Sequence, residues 1–289
     1  MKTTAELAAE QAAYWNGPGG DGWLAAYERI QRSLADIGDI GLAAAAPQHG
    51  EHVIDIGCGT GGTTAALAHA VGIAGHVLGV DISETLIEAA RAHRLENATF
   101  VVGDAAAHPF KPETYDLVFS RFGVMFFADP VAAFRNIRRA LRPAGRLVFV
   151  AWRTPQENPW GTVPARAAQP FLPPQPRPAP EDPGQFSFGE RARVERILSE
   201  AGFQKLRLEP IDRQIWMGPS VADVVAGAGR FGPLARVFAG AEPGHRESQA
   251  GHRPGSRAAR GTRRRAPAGR VLAGPGECQL RIRCHPERG

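Results

Sequence analysis

Cysteine is scarce in this chain, at three in 289 residues. Cys58 stands alone, and Cys278 and Cys284 lie near the C-terminus, so the spacing makes neither a disulfide framework nor a metal-ligand set. No metal is therefore expected. Long apolar runs are missing as well: no stretch approaches the roughly 18–20 residues of a membrane span. The opening MKTTAELAAEQAAYW is polar and alanine-rich, without the apolar core of a signal peptide. These absences predict a cytoplasmic protein with no membrane span. No internal repeat is visible. Excess positive charge is absent from most of the chain too. From Ala241 onward eleven arginines face four glutamates, a local +7 within a total of +5, so the first 240 residues carry −2. The body offers no basic stripe, and any case for a nucleic-acid partner rests on the tail alone.

An apolar fraction of 43% with 22% charged residues is enough for a sizeable core. Two N-terminal segments have helical character, the second with Tyr27, Ile30, Leu34 and Ile37 at helical spacing. Between them YWNGPGGDGW, Tyr14 to Trp23, reads as a glycine-rich loop bracketed by aromatics. From His52 short apolar runs (HVIDI, HVLGVD, TFVVGD, YDLVFS, RLVFVAW) alternate with amphipathic stretches (TTAALAHAV, SETLIEAARAH, DPVAAFRNIRRAL). Ser83 is placed to cap the second of these helices and Pro143 to end the third. Continuous apolar strands alternating with helices predict a parallel sheet covered on both faces, an α/β doubly wound fold. FLPPQPRPAPEDPGQ reads as a connector. ERARVERILSEAGF is a further helix, FQKLRLEPIDRQIWMG a long strand with a break expected at Pro210, and SVADVVAGAGRFGPLARVFAG one or two helices. The expected organisation is a helical cap (1–50), an α/β core (51–153), a C-terminal part (154–240) and an Arg/Gly/Pro-rich tail (241–289).

The chemistry centres on VIDIGCGTGGTT, residues 53–64. After a strand and before a helix, Gly57, Gly59 and Gly61 let the backbone turn sharply and approach a ligand, and the helix N-terminus adds unpaired N–H groups. Gly57, Gly59 and Gly62 also satisfy G-x-G-x-x-G, with Asp81 about 20 residues on, so the loop alone leaves a nicotinamide or flavin enzyme open. Three neighbours favour another ligand. Asp55 would repel a pyrophosphate but suits a cationic amino group. Asp104, ending the third strand, is positioned to accept from an exocyclic amine. About fifty residues precede the first strand and can supply a lid.

Taken in order, VIDIGCGTGG, VLGVDIS, VVGDAAAHPF, YDLVFSRFGVMFF and LRPAGRLVFVAW resemble the successive motifs of class I S-adenosylmethionine-dependent methyltransferases. The resemblance covers roughly residues 50–153 and is strongest to the ubiquinone- and menaquinone-biosynthesis type, the type 11 branch. It implies a Rossmann-like, mostly parallel, seven-stranded sheet whose last two strands form an antiparallel hairpin, with S-adenosylmethionine as cofactor. Carried over, it assigns Asp55, Gly57, Gly59 and Gly61 to the methionine portion, Asp81 to the ribose hydroxyls, and Asp104 with Ala105 to the adenine. Ser120 and Arg121 would sit beside the methionine and the substrate entrance. Cys58 and Ile82 fall among the cofactor-lining residues by position, Cys58 reading as a small buried side chain.

Methyl transfer from a sulfonium needs alignment and water exclusion more than a catalytic dyad, and none is visible. His108 and Arg121 are the candidate catalytic groups. On the substrate side Tyr14 and Trp15 can fold over the cofactor, where an aromatic face favours a sulfonium. Phe122, Phe126 and Phe127 can wall an acceptor pocket, and Glu157, Asn158 and Trp160 follow the fifth strand on the ligand edge. A small-molecule acceptor is expected. The alternatives are an RNA methyltransferase using the basic tail, a nucleotide-dependent oxidoreductase, and a non-catalytic module that kept the fold. In the tail GHRPGSRAARGTRRRAPAGR has the composition of a GC-rich gene read out of frame, with the onset expected near Gly240 to Gly244. The only alternating piece beyond it is ECQLRIRCHP, so the last edge strand is expected to be missing or degraded.

Overall fold

The structure, a computed structural model, describes residues 2–171, 179, 181–227, 271–272 and 277–286. Five parallel strands form its centre: β1 (His52–Ile56), β2 (His76–Asp81), β3 (Ala98–Val102), β4 (Tyr115–Arg121) and β5 (Leu141–Trp152). Between them run α4 (Gly62–Val71), α5 (Glu84–Arg91) and α6 (Pro130–Ala140), after the N-terminal α1 (Thr4–Trp15), α2 (Pro18–Ala25) and α3 (Tyr27–Ala45). Ser83 caps α5 by accepting from Leu86 N–H, and Asp129 caps α6 by accepting from Ala132 N–H.

Period-two alternation sends neighbouring residues of each strand to opposite faces. Val53, Leu117, Phe119 and Val148 pack with Leu67, Ala68 and Val71 of α4. Ile54, Ile56, Val118 and Phe149 pack on the other face with Phe134 and Ile137 of α6. Helices on both faces account for strands without polar alternation.

Past β5 come α7 (Pro159–Ala168), α8 (Arg191–Glu200), β6 (Phe203–Asp212), β7 (Trp216–Gly218), α9 (Val221–Gly227), β8 (Val271–Leu272) and β9 (Glu277–Pro286). The sheet order is β3-β2-β1-β4-β5-β9-β6, with β9 antiparallel to both of its neighbours, while β7 and β8 pair separately. The place where a missing or degraded strand was expected is thus filled by ECQLRIRCHP, the one tail segment with a strand's alternation. The arginine run at 251–270 and the expected out-of-frame onset lie outside the described residues. Among the described residues no helix is long and apolar enough to cross a membrane.

Two local expectations are corrected. The stretch from Tyr14 to Trp23 is not a loop: Pro18 opens α2 at its first turn, where a missing N–H costs nothing. Its glycines allow close packing on the end of α1, since a Cβ on Gly19 would lie 2.3 Å from the Tyr14 ring and one on Gly20 2.2 Å from the Trp15 carbonyl. The long C-terminal strand breaks after Asp212 and not at Pro210, which pairs with Leu280 in register. β6 is the outermost strand of the sheet, where a missing N–H is tolerated.

Candidate active site

Strand order reverses between β1 and β4, and their C-terminal ends open a crevice there. A cavity of about 730 Å³ fills it, roofed by α1, α2 and α3. Its sheet end is the glycine turn after β1. Gly57, Gly59 and Gly61 have φ of +66°, +55° and +82°, the left-handed region open to glycine. Gly57 and Cys58 N–H donate to the Val80 carbonyl, and Gly61 N–H donates to the Cys58 carbonyl. A Cβ on Gly59 would point into the cavity, with nothing nearer than Trp23 Nε1 at 3.7 Å. Gly61 faces the other way, closed on Ala90, His93 and Phe100 at 3.1 Å.

Asp81 locks this turn. Its Oδ2 accepts Gly59 N–H at 2.8 Å and its Oδ1 accepts Ser83 N–H at 2.9 Å. Burial raises its pKa, while those backbone donors pull it back. Asp104 accepts from Ala106 N–H at 2.9 Å. Asp81, Ile82, Asp104 and Ala105 all line the cavity.

Asp55, Cys58, Gly61 and Ser120 do not line it. Asp55 is wholly buried and faces α4, where its Oδ2 accepts the hydroxyls of Thr63 and Thr64, each at 2.7 Å. Its Oδ1 has no partner, and burial pushes its pKa up to about 6 against the pull of the two hydroxyls and Arg121. It braces the start of α4 from below. Ser120 does the same between strands, donating to the Ile56 carbonyl at 2.8 Å and accepting Gly123 N–H. The Cys58 thiol is pushed up by burial and is inert.

The other end of the cavity is aromatic. Phe122, at φ +66°, stacks on Trp152 at 4.5 Å with planes 8° apart, and Trp160 leans on Trp152 at 4.8 Å. Trp15 meets Trp23 and Phe126 edge-on, and Tyr14 meets Trp15. Tyr14, Trp15, Arg121, Phe122, Phe126, Phe127 and Trp160 all line the cavity.

Three substrate-side or catalytic candidates do not line the cavity. Asn158 is fully buried, donating to the Arg153 and Thr154 carbonyls and accepting from Trp160 Nε1 at 3.1 Å. Glu157 closes a capping box with Thr154. Both residues shape the loop that presents Trp160. His108 packs its ring on Phe110 at 4.7 Å, behind Gly103. Burial lowers its pKa.

Sequence reasoning missed Gln11, Trp23, Ser33, Trp152 and the wall from Pro183 to Ser187. That wall hangs on Met125, whose carbonyl accepts Gly184 N–H and the Ser187 hydroxyl. Trp23 was legible as the far bracket of the glycine-rich stretch, but the wall inside a proline-rich passage carries no sequence signal.

Comparison with known proteins bears on this geometry. Residues 54–149 match a methyltransferase domain family, type 11. The chain is 30% identical over 168 residues to the demethylmenaquinone methyltransferase of Corynebacterium kroppenstedtii, covering 55% of this chain and 71% of that protein. It is 36% identical over 108 residues to the demethylmenaquinone methyltransferase of Staphylococcus aureus, covering 37% of this chain and 45% of that one. In fold it matches the YcgJ protein of Bacillus subtilis, with a TM-score of 0.54 at 16% identity over 88% of this chain and all of that one. With these relatives the nicotinamide alternative that the glycine turn left open gives way. The chain belongs to the class I S-adenosylmethionine-dependent methyltransferases, in their type 11 branch.

Proposed function

We propose that this enzyme methylates a small, flat, largely apolar acceptor held between the cofactor and the aromatic end of the cavity. What carries the reading is one continuous cavity joining the glycine turn, Asp81 and Asp104 to the stack of Phe122, Trp152 and Trp160. Two relatives are named for demethylmenaquinone, and a flat ring system of that kind suits such walls.

The residues present fit S-adenosylmethionine. Gly59 leaves room where a side chain would intrude, and Gly57 lets the turn pack on Gly123, where a Cβ would stand 2.7 Å from its Cα. Asp81 has a carboxylate on the cavity and would accept from the ribose diol with the lone pairs that Gly59 and Ser83 do not use. Asp104 and the backbone of Ala105 would take the adenine edge, and Ile82 its face. Asp55, Cys58, Gly61 and Ser120 act behind them by holding the turn. When bound, the cofactor supplies a methyl group on an excellent leaving group.

This chain's own part is alignment and exclusion of water. Tyr14, Trp15 and Trp23 cover the junction of the two ends, and Phe122 and Phe126 fix the plane of the acceptor. His108 lies outside the cavity and is not the base.

The test is calorimetric. S-adenosylhomocysteine binds the wild type and NADH does not, and Asp81→Ala lowers affinity roughly a hundredfold by removing a buried charged acceptor. Undiminished binding in Asp81→Ala would sink the assignment.

A further inference from the structure

The wall from Pro183 to Ser187 is a built turn. The Gly184 carbonyl accepts Ser187 N–H at 3.0 Å, which makes Gln185 and Phe186 the two central residues of a β-turn. Both ends of that turn are pinned to one atom, the Met125 carbonyl, which accepts Gly184 N–H at 3.1 Å and the Ser187 hydroxyl at 2.6 Å. Met125 is in turn tied to the aromatic stack, because its Sδ accepts Trp152 N–H at 3.4 Å. The tip of the turn therefore holds a set place relative to Phe122 and Trp152. Polar side chains around it are already engaged. The Ser33 hydroxyl lies on the Arg29 and Trp216 carbonyls at 2.8 and 2.6 Å. Trp160 Nε1 donates to Asn158, and Asp182 accepts Ala179 N–H. Gln185 differs from these. It lines the same cavity, half-buried, and its carboxamide makes no hydrogen bond among the described residues. A primary amide carries two N–H donors and an acceptor oxygen. Withdrawn from water by a ligand that cannot pair with it, such a group costs free energy, so it selects ligands that can.

We propose that Gln185 recognises a neutral oxygen on the edge of the acceptor, a carbonyl or a hydroxyl, and so determines how the flat ring is turned within its plane. The inference rests on the acceptor reading above and adds to it the polar group that the acceptor carries. Stacking on an aromatic face fixes a plane but leaves rotation within it free, whereas a hydrogen bond is directional. The pinned turn supplies that direction from backbone held at both ends, and an uncharged amide suits an uncharged partner. A carbonyl would accept from the amide N–H, and a hydroxyl can also donate to its oxygen.

The full-length chain, saturated with S-adenosylhomocysteine, is titrated with three flat bicyclic probes: naphthalene, coumarin (a carbonyl and no hydroxyl) and 1-naphthol (a hydroxyl). Naphthalene leaves water most readily, so burial alone ranks it first. The wild type is expected to bind at least one oxygenated probe roughly fivefold or more tightly than naphthalene. Gln185→Leu, which keeps apolar bulk and removes the amide, erases that preference and leaves the affinities for naphthalene and S-adenosylhomocysteine unchanged. Gln185→Glu separates the two kinds of oxygen, since a carboxylate accepts and does not donate. If the amide presents its N–H, coumarin gains in the wild type and loses that gain in Gln185→Glu. If it presents its oxygen, 1-naphthol alone gains and Gln185→Glu keeps the gain. Either result supports the proposal. A wild type that binds the three probes alike, or a preference that survives in Gln185→Leu, overturns it while leaving the flat-acceptor reading intact. A wild type that takes S-adenosylhomocysteine but none of the probes overturns both. Should Gln185→Leu fail to fold, Gln185→Met is expected to erase the same preference.

Discussion

The two ends of the cavity are made of different materials. At the sheet end the glycine turn is held by backbone hydrogen bonds into β2 and by a carboxylate, Asp81, that accepts two further N–H groups. Removing water or ligand would leave that framework standing. Over the cavity Tyr14, Trp15 and Trp23 meet through ring edges, and a side-chain clasp lies between their helices. Asn16 donates from Nδ2 to the Ile82 carbonyl at 2.9 Å and accepts Glu84 N–H on Oδ1 at 2.9 Å. The clasp therefore fastens the α1–α2 corner to the same β2–α5 connection that carries Asp81. A cofactor floor fixed by backbone hydrogen bonds thus supports a cover that packs through side chains, and regions without backbone ties to the sheet open first.

The largest effect that sharpens this contrast lies outside both ends. Arg146 and Glu51 form a mostly buried, two-pronged ion pair, and Arg146 also donates to the Ala45 and Ala46 carbonyls, where α3 ends in a left-handed residue. Arg146→Ala leaves Glu51 unpaired and is expected to cost about 3–5 kcal/mol in urea unfolding, with the affinity of the remaining folded protein for S-adenosylhomocysteine unchanged.

Next comes Asp55. Its pKa of about 6 in the folded protein exceeds the ordinary 3.8, so the fold holds the proton more tightly than the unfolded chain. Its contribution is fully present below about 3.8 and lost as pH rises through about 6. Asp55→Asn removes that slope, a change on the order of 1–3 kcal/mol in the pH dependence of unfolding between those values. A wild type whose stability climbs through this window no less steeply than the variant's would contradict the assignment.

The smallest effect is on the cover. Asn16→Ala removes the two hydrogen bonds that cross to the β2–α5 connection and a third to the Ala12 carbonyl within α1, and hydrogen exchange across residues 4–25 is expected to quicken about tenfold.

Legibility divides along the same line. The strands, the glycine turn, Asp81 and Asp104 were readable because backbone geometry demands particular residue types at fixed spacings. Asp55 was read as facing ligand, yet in VIDI it shares a strand face with Val53, and the paired threonines at the start of α4 were the signal for its partners. Glu157 was read as a substrate contact, although Thr154 and Glu157 spell a capping box. The stretch from Tyr14 to Trp23 was read as a loop because glycine is a poor helix former. Packing of α2 onto Tyr14 and Trp15 overrides that propensity, and no local pattern reveals it. The aromatic end converges from α1, α2, the connection after β4, β5 and α7, so its membership is a property of the fold and not of any one segment.

The contrast between floor and cover is tested most directly by titrating wild type, Asp81→Ala and Asn16→Ala with S-adenosylhomocysteine side by side. The account predicts a loss of roughly a hundredfold for Asp81→Ala and less than about threefold for Asn16→Ala. Equal losses in the two variants, or none in Asp81→Ala, would contradict it.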